Sequence, residues 1–394
     1  MLMTRRGGAS FRDDGPAPRR DLSAVTLHRL DDEAWLLDRR GQRLFHLNAV
    51  AAFVWSACLA GFAEAEIVSM LEDRLGVRPA VSADYVATAL AAWPDAEADA
   101  PNGAEPTPLV PLAESFATDS YRVLDADIRL GYATPGLRAM VHAGLGPLSV
   151  PGPAAETRAW QLSTDAGGFA LAEGGRLVDR CERLDQVAPM IKVRLVYAAL
   201  EASRDCCALH AAALGAGRRC LLLPGRSGAG KSTLAAGLAH SGFTLLGDDT
   251  AVIADGEPRV RPFPLPIALK AGAWRLLGDR VAGLGDLPIH WRQDGKAVRY
   301  VVPPAAALPA PGLPPLPVGW IVFPSFAAGA RPWLAPLDAG VALKRLIAGF
   351  APLGSGMTPA KLDRLIGWIR GVACFELRYG ALDDAIGLLR TLCR

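Results

Sequence analysis

A chain of 394 residues is too long for one core and is expected to form two or three domains, and 51% hydrophobic against 21% charged residues excludes a disordered chain. A net charge of +2, from 42 Lys+Arg against 40 Asp+Glu, supplies no field to attract nucleic acid or an anionic membrane. Seven scattered cysteines with no CxxC pair exclude a zinc or disulfide framework and point to a reducing, cytoplasmic setting.

Residues 1–22 carry arginines but no apolar run of signal-peptide length, and read as a flexible tail. The apolar run from Ala208 to Leu223 is broken by GAGRR, so no uninterrupted stretch reaches the roughly 18 residues of a membrane span. From 23 to 93 a small domain is predicted. The segment EAWLLDRRGQRLFHLN puts apolar runs on either side of Arg40-Gly41, the pattern of a β-hairpin. Helices are predicted at Ala49 to Cys58, Glu64 to Leu75 and Ser82 to Trp93; in the middle one Ile67, Met70, Leu71 and Leu75 recur at helical spacing. Asn48 is suited to cap the first of them.

The stretch LLDRRGQRLFHLNAVAAFVWSACLAGFAEAEIVSMLEDRLGV resembles the PqqD family of peptide chaperones, the precursor-peptide recognition elements. The resemblance covers about Leu27 to Trp93 and implies a small winged-helix-like domain that binds a leader peptide by adding a strand to its sheet edge. Leu36, Leu44, Phe45 and Leu47 are then the candidate peptide contacts. The same hydrophobic pattern also suits a packing or dimerisation module that binds no peptide.

Residues 94–113, rich in Pro, Gly and acidic side chains, read as a linker. Residues 114–205 are expected to form an α/β lobe and residues 206–394 a catalytic domain. Within the latter, GRSGAGKS (Gly225, Arg226, Ser227, Gly228, Ala229, Gly230, Lys231, Ser232, then Thr233) matches G-x-x-x-x-G-K-[ST] in full. Glycines let backbone N–H groups turn inward around phosphate oxygens, Lys231 brings a charge to the outer phosphates, and Ser232 offers a hydroxyl to Mg²⁺. RCLLLP before it reads as a strand and KSTLAAGLAHSG after it as a helix ending at Gly242.

FTLLGDDTAVI follows as a second strand whose turn holds Asp248 and Asp249. A parallel crossover returns that turn to the edge bearing the phosphate loop. One carboxylate, assigned to Asp249, then serves Mg²⁺ together with Ser232, while Asp248 accepts a proton from an attacking hydroxyl. A solvated turn is the bland alternative. Two aspartates so close to the loop favour transfer to a hydroxyl acceptor over hydrolysis. Lys270, in PLPIALKAG, and Arg292, Lys296 and Arg299, in HWRQDGKAVRYVVPP, are candidate cations for charge developing on a transferred phosphoryl group, or else an exposed basic loop.

From LHAAAL through the aspartates the chain resembles the HPr serine kinase family, especially its HPr-kinase-related branch of peptide-modification systems. The resemblance extends from about Tyr121 to the end. It implies a P-loop kinase core of HPr kinase and phosphoenolpyruvate-carboxykinase-like type, serine phosphorylation with ATP and Mg²⁺, a catalytic role for His210, and homo-oligomers. His210 is followed by Ala211 where that family usually carries glycine, and its phosphorylase signature has no located counterpart, so a reverse reaction is not implied. The whole reads as an α/β multidomain, cytoplasmic kinase that phosphorylates a ribosomally made precursor peptide, of lasso-peptide type, captured by its own N-terminal domain. Phosphorylation of a folded carrier protein or small molecule, and nucleotide-sensing peptide binding without transfer, are the alternatives.

Overall fold

A computed structural model describes residues 22–30, 33–40, 42–75, 79–91, 114–152, 157–165, 167–203, 206–254, 258–348 and 357–394. The expected tail, apart from Leu22, and the expected linker at 94–113 lie outside the described residues. The fold divides into two compact units, one from residues 1–27 and 35–93 and the other from 28–34 and 94–394.

Towards the N-terminus, β1 (Val25–Leu30), β2 (Glu33–Asp38) and β3 (Arg43–Leu47) form a sheet in that order. The β2–β3 pair is the one predicted by the apolar runs that flank residues 40 and 41, and β1 is an additional strand. Helices α1 (Ala49–Leu59), α2 (Glu64–Leu75) and α3 (Pro79–Ala91) follow. Helix α3 starts three residues ahead of the expected Ser82, because proline is tolerated in a first turn whose N–H groups lack intrahelical partners. Asn48 Oδ1 accepts from the Ala51 N–H at 2.8 Å and caps α1 as anticipated. Trp35, Leu37, Val54, Trp55, Ile67, Leu71 and Val86 are buried, and the Trp55 indole N–H donates to the Ala89 carbonyl at 3.2 Å, tying α1 to α3.

This packing corrects two candidate peptide contacts. Leu36 and Leu47 are only 1% and 9% exposed and belong to the core, where they have no surface to offer a ligand. Leu44 and Phe45 are half-buried on β3, an edge strand among the described residues.

The second unit opens with β4 (Ala117–Val123), β5 (Ala126–Tyr132), α4 (Pro135–Leu145), β6 (Ser149–Val150), β7 (Arg158–Asp165), β8 (Gly168–Glu173), β9 (Arg176–Cys181) and α5 (Val187–Ala202). The strands form a sheet in the order β6-β4-β5-β7-β8-β9. Its apolar face packs Ile128, Leu130, Leu162 and Leu171 with Leu195 and Ala199 of α5, in a cluster that continues into Ala208, Val252 and Phe263. The core of the expected lobe therefore extends into the segment after it.

That segment contains β10 (Cys206–Leu209), β11 (Ala211–Ala216), β12 (Arg219–Pro224), α6 (Lys231–Ala239), β13 (Thr244–Gly247), β14 (Ala251–Ala254), β15 (Arg259–Arg261), β16 (Ile267–Lys270), α7 (Ala271–Leu277), β17 (His290–Trp291), β18 (Ala297–Val301), β19 (Leu316–Phe326), β20 (Trp333–Pro336), α8 (Ala339–Ala348), α9 (Pro359–Ile369), β21 (Ala373–Tyr379) and α10 (Leu382–Leu392). The main sheet runs β10-β14-β15-β19-β12-β11-β13, with β21 pairing β19 and β20; β16, β18 and β17 form a smaller antiparallel sheet. The proline-rich stretch 303–317 serves mainly as the connection between β18 and β19.

Strands β12 and β13 are not neighbours, as the crossover suggested. Strand β11 lies between them, antiparallel to both, pairing Ala211 with Pro224 and Ala213 with Gly247. The insertion concentrates chemistry on one edge. Since β12 and β13 still run the same way, the loop after Pro224 and the turn after Gly247 emerge together, and β11 enters there, directly after His210. Strands β19 and β21 run parallel to β12 and deliver Phe326 and Tyr379 to the same edge. The carboxyl ends of parallel strands are where α/β sheets commonly hold ligands.

Among the described residues no helix is long and apolar enough to cross a membrane. Cys181, Cys220 and Cys374 are buried, and burial pushes the Cys374 thiol up to about 11, consistent with packing rather than reactive roles.

Candidate functional site

Between β12 and α6 the backbone turns through Gly225, Gly228 and Gly230, with φ of 155°, 92° and 91°. Gly230 is the N-cap of α6, and a Cβ there would lie 2.4 Å from the Tyr379 hydroxyl oxygen, so both conformation and packing demand glycine. The resulting strand–loop–helix presents backbone N–H groups and the positive end of a helix to one side, a form suited to phosphate.

Lys231 is 5% exposed. Its Nζ donates to the carbonyls of Gly225 at 2.7 Å and Arg226 at 3.2 Å, and lies 3.1 Å from His210 Nε2. An ammonium can only donate, so His210 Nε2 accepts and Nδ1 carries the ring proton, which it donates to the Asp249 carbonyl at 3.0 Å. Burial, reinforced by the Lys231 ammonium, pushes the His210 pKa below the ordinary imidazole value and keeps the ring neutral. In this state His210 is a spacer between lysine and aspartate backbone, not a source of charge.

The two aspartates sit in opposite environments. Asp248 is 3% exposed; burial, and secondarily the charge of Asp249, push its carboxyl up to about 6. Its Oδ2 accepts from the Ala268 N–H at 3.0 Å, whereas Oδ1 is buried with no hydrogen-bond partner among the described residues. Burial also works against the charge of Asp249, but the cations Lys192, Lys231 and Arg292 outweigh it and hold that carboxyl below its ordinary value. Asp249 has φ 62°, a left-handed conformation costing about 1–3 kcal/mol for a residue with a side chain. The hydrogen bond from His210 to its carbonyl helps hold it there.

Ser232 lines the same cavity as Asp249, its expected metal partner. Among the described residues no cluster of three or more His, Cys, Asp or Glu could hold a metal unaided. Ser232, the unsatisfied Oδ1 of Asp248 and the ionised Asp249 nevertheless fit Mg²⁺, which takes few protein oxygens and fills its shell with water and phosphate oxygens.

Among the cations, Lys270 donates to the Ser227 hydroxyl at 2.8 Å, Arg292 lies 3.8 Å from Asp249 and 3.3 Å from Asp294, and Lys296 pairs with Asp294 at 2.8 Å. These three line a cavity of about 460 Å³ with His210, Lys231, Ser232 and Asp249. Arg299 does not: it donates to the Leu284 carbonyl at 2.9 Å and stacks 4.3 Å above the Trp274 ring, a packing role fixed by its place on β18 opposite Leu269.

Phe326 and Tyr379, ring centroids 5.6 Å apart, form an aromatic wall of the same cavity near Leu276, suited to an apolar or planar ligand group. Lys192 on α5 is buried, donates to the Pro266 carbonyl at 2.6 Å and lies 5.1 Å from the Tyr300 ring centroid. Burial lowers its pKa, while both aspartates oppose that shift. None of these three residues was apparent as functional from the sequence. The signal for Lys192 is a single lysine on the buried face of the apolar run VAPMIKVRLVYAAL; the aromatics close strands with no motif.

Residues 33–96 match the family model described as Coenzyme PQQ synthesis protein D (PqqD), so the N-terminal domain is PqqD-like. Among solved structures, the chain is similar to TbiB1 in complex with the TbiA(beta) leader peptide, at 29% identity over 18% of this chain and 80% of that one, with a TM-score of 0.17. It is also similar to the Hpr(Ser) kinase/phosphatase from Coxiella burnetii, at 14% identity over 47% of this chain and 92% of that one, with a TM-score of 0.21. Neither overall likeness is close enough to carry a functional argument. No curated protein matches the chain.

Proposed function

We propose that the chain is an ATP- and Mg²⁺-dependent kinase that phosphorylates a serine hydroxyl of a ribosomally made precursor peptide, of lasso-peptide type, whose leader is captured by the PqqD-like domain. The observation that carries the reading is the convergence of Lys231, His210, Ser232 and Asp249 on one cavity with Asp248 directly behind them.

In this mechanism the loop amides and Lys231 hold the phosphates, with Lys231 leaving the Gly225 and Arg226 carbonyls to reach them. His210 keeps Lys231 and Asp249 in register. Ser232 and Asp249 would hold Mg²⁺, which when bound would neutralise phosphate charge. Asp248 receives the proton of the acceptor hydroxyl as its oxygen bonds to the γ-phosphorus; the bond from that phosphorus to the bridging oxygen breaks and ADP departs with the electron pair. Lys270, Arg292 and Lys296 oppose the developing negative charge.

γ-Labelled ATP with the full-length protein and precursor peptides encoded near its gene tests the proposal. Label on peptide serine is the expected result. Label on a carrier protein or metabolite replaces the acceptor, and nucleotide binding without any transfer replaces catalysis with sensing.

A further inference from the structure

The aspartate pair stands between two cavities, and the nucleotide accounts for one. The second, about 230 Å³, is lined by Val193, Tyr197 and Leu209 together with Lys192, Asp248 and Tyr300. Its α5 wall follows from helical periodicity: Pro189, Val193 and Tyr197 recur every four residues and share one face. Val193 is 49% and Tyr197 40% exposed on a helix otherwise rich in buried residues, whereas Lys192 and Asp248 are buried. The apolar pair thus marks the mouth, and the charged pair the floor.

Size and position both argue for a particular occupant. Pockets for small molecules occupy roughly 300–1,000 Å³; this one is smaller, of side-chain rather than metabolite dimensions. In-line displacement also needs the attacking oxygen opposite the leaving oxygen. Both cavities share His210, Asp249, Ala268 and Arg292, so a group in the second approaches the carboxylates from outside the nucleotide cavity. Resting on the kinase reading above, the geometry points to this pocket as the acceptor subsite: it takes the hydroxyl-bearing residue of an extended peptide, with a bulky apolar residue within two positions of it seated against Val193 and Tyr197. A substrate preference follows that the phosphate loop does not dictate.

The test uses the full-length protein, ATP and a decapeptide library with one fixed serine and all other positions degenerate. Leu, Ile, Phe or Tyr within two positions of the serine should be favoured about tenfold over Gly or Asp. Val193→Asp, at an exposed site, should erase that preference, and Tyr197→Ala should reduce it. In parallel, polarisation of a fluorescein-labelled Leu-Ser decapeptide is measured on the wild type and Val193→Asp with a non-hydrolysable ATP analogue; weaker binding by the variant is expected. Phosphorylation with no apolar preference, or variants of native fold that phosphorylate and bind like wild type, would overturn the subsite while leaving the kinase. Val193-dependent binding without transfer to any peptide would retain the pocket as a peptide site and overturn the kinase. Neither transfer nor Val193-dependent binding overturns both.

Discussion

The PqqD-like unit and the unit that carries the glycine-rich loop use their residues in different ways. In the first, Trp35, Leu36, Leu47 and Trp55 are all committed to the core, and what faces outward at the sheet edge is β3 with the half-buried Leu44 and Phe45. In the second, polar side chains from separate strands are driven together at one edge, and several are buried there despite the cost of desolvating them. A function carried by backbone pairing tolerates single side-chain changes; one carried by buried charges does not. Mutations should therefore act steeply in one unit and shallowly in the other.

The steepest expected effect is at Lys231. Lys231→Ala removes the cation anchored on the Gly225 and Arg226 carbonyls and leaves the backbone cradle, so transfer should fall by about 100- to 1,000-fold with weakened nucleotide binding. Labelled-phosphate transfer and calorimetric titration with ATP measure the two effects. A folded variant with wild-type turnover removes the phosphate site from the loop.

Asp248→Asn and Asp249→Asn come next, with losses of about 100-fold or more expected for each. They should divide by metal dependence. Asp249→Asn should raise the Mg²⁺ concentration needed for half-maximal rate, whereas Asp248→Asn should slow transfer at saturating Mg²⁺. The buried, unpartnered Oδ1 of Asp248 makes the opposite division the informative rival: if Asp248→Asn shifts the Mg²⁺ requirement instead, the roles exchange.

Lys192→Met should have a smaller effect, about tenfold in turnover with nucleotide affinity retained, since Lys192 acts on the carboxylates from behind rather than on the phosphates. A change confined to nucleotide affinity would place it on the other side of the site.

These expectations also mark what could be read from the chain. The loop and the aspartate turn were legible because each is a local string whose chemistry needs neighbouring residues, and the α2 helix because Ile67 and Leu71 follow its period. Lys192, Phe326 and Tyr379 were not, because long-range topology brings them to the site: α5 from the preceding lobe, β19 and β21 through parallel pairing with β12 and with each other. The insertion of β11 between β12 and β13 was hidden for the same reason. Arg299 misled because a basic residue near Lys296 in sequence sits on β18 with its guanidinium bonded to the Leu284 carbonyl and over the Trp274 ring. Leu36 and Leu47 misled because a family resemblance carried by apolar residues does not tell which of them the core takes.

The shallowest effect tests the first unit without altering it. If the PqqD-like domain binds the leader through a sheet edge, a free leader segment added in trans should compete with the precursor for that edge and raise the apparent KM for full-length precursor several-fold. It should leave the KM for an isolated acceptor segment unchanged, because that substrate never uses the edge. The difference arises from effective concentration: a leader held on the domain presents its own acceptor at millimolar levels, which the competitor abolishes without touching the catalytic cavity. Substitutions of Leu44 or Phe45 by alanine should reproduce only part of the shift, since backbone pairing survives them. Equal inhibition of both substrates would mean that the free leader acts at the catalytic unit, and the contrast between a backbone-borne and a side-chain-borne site would fail at its first half.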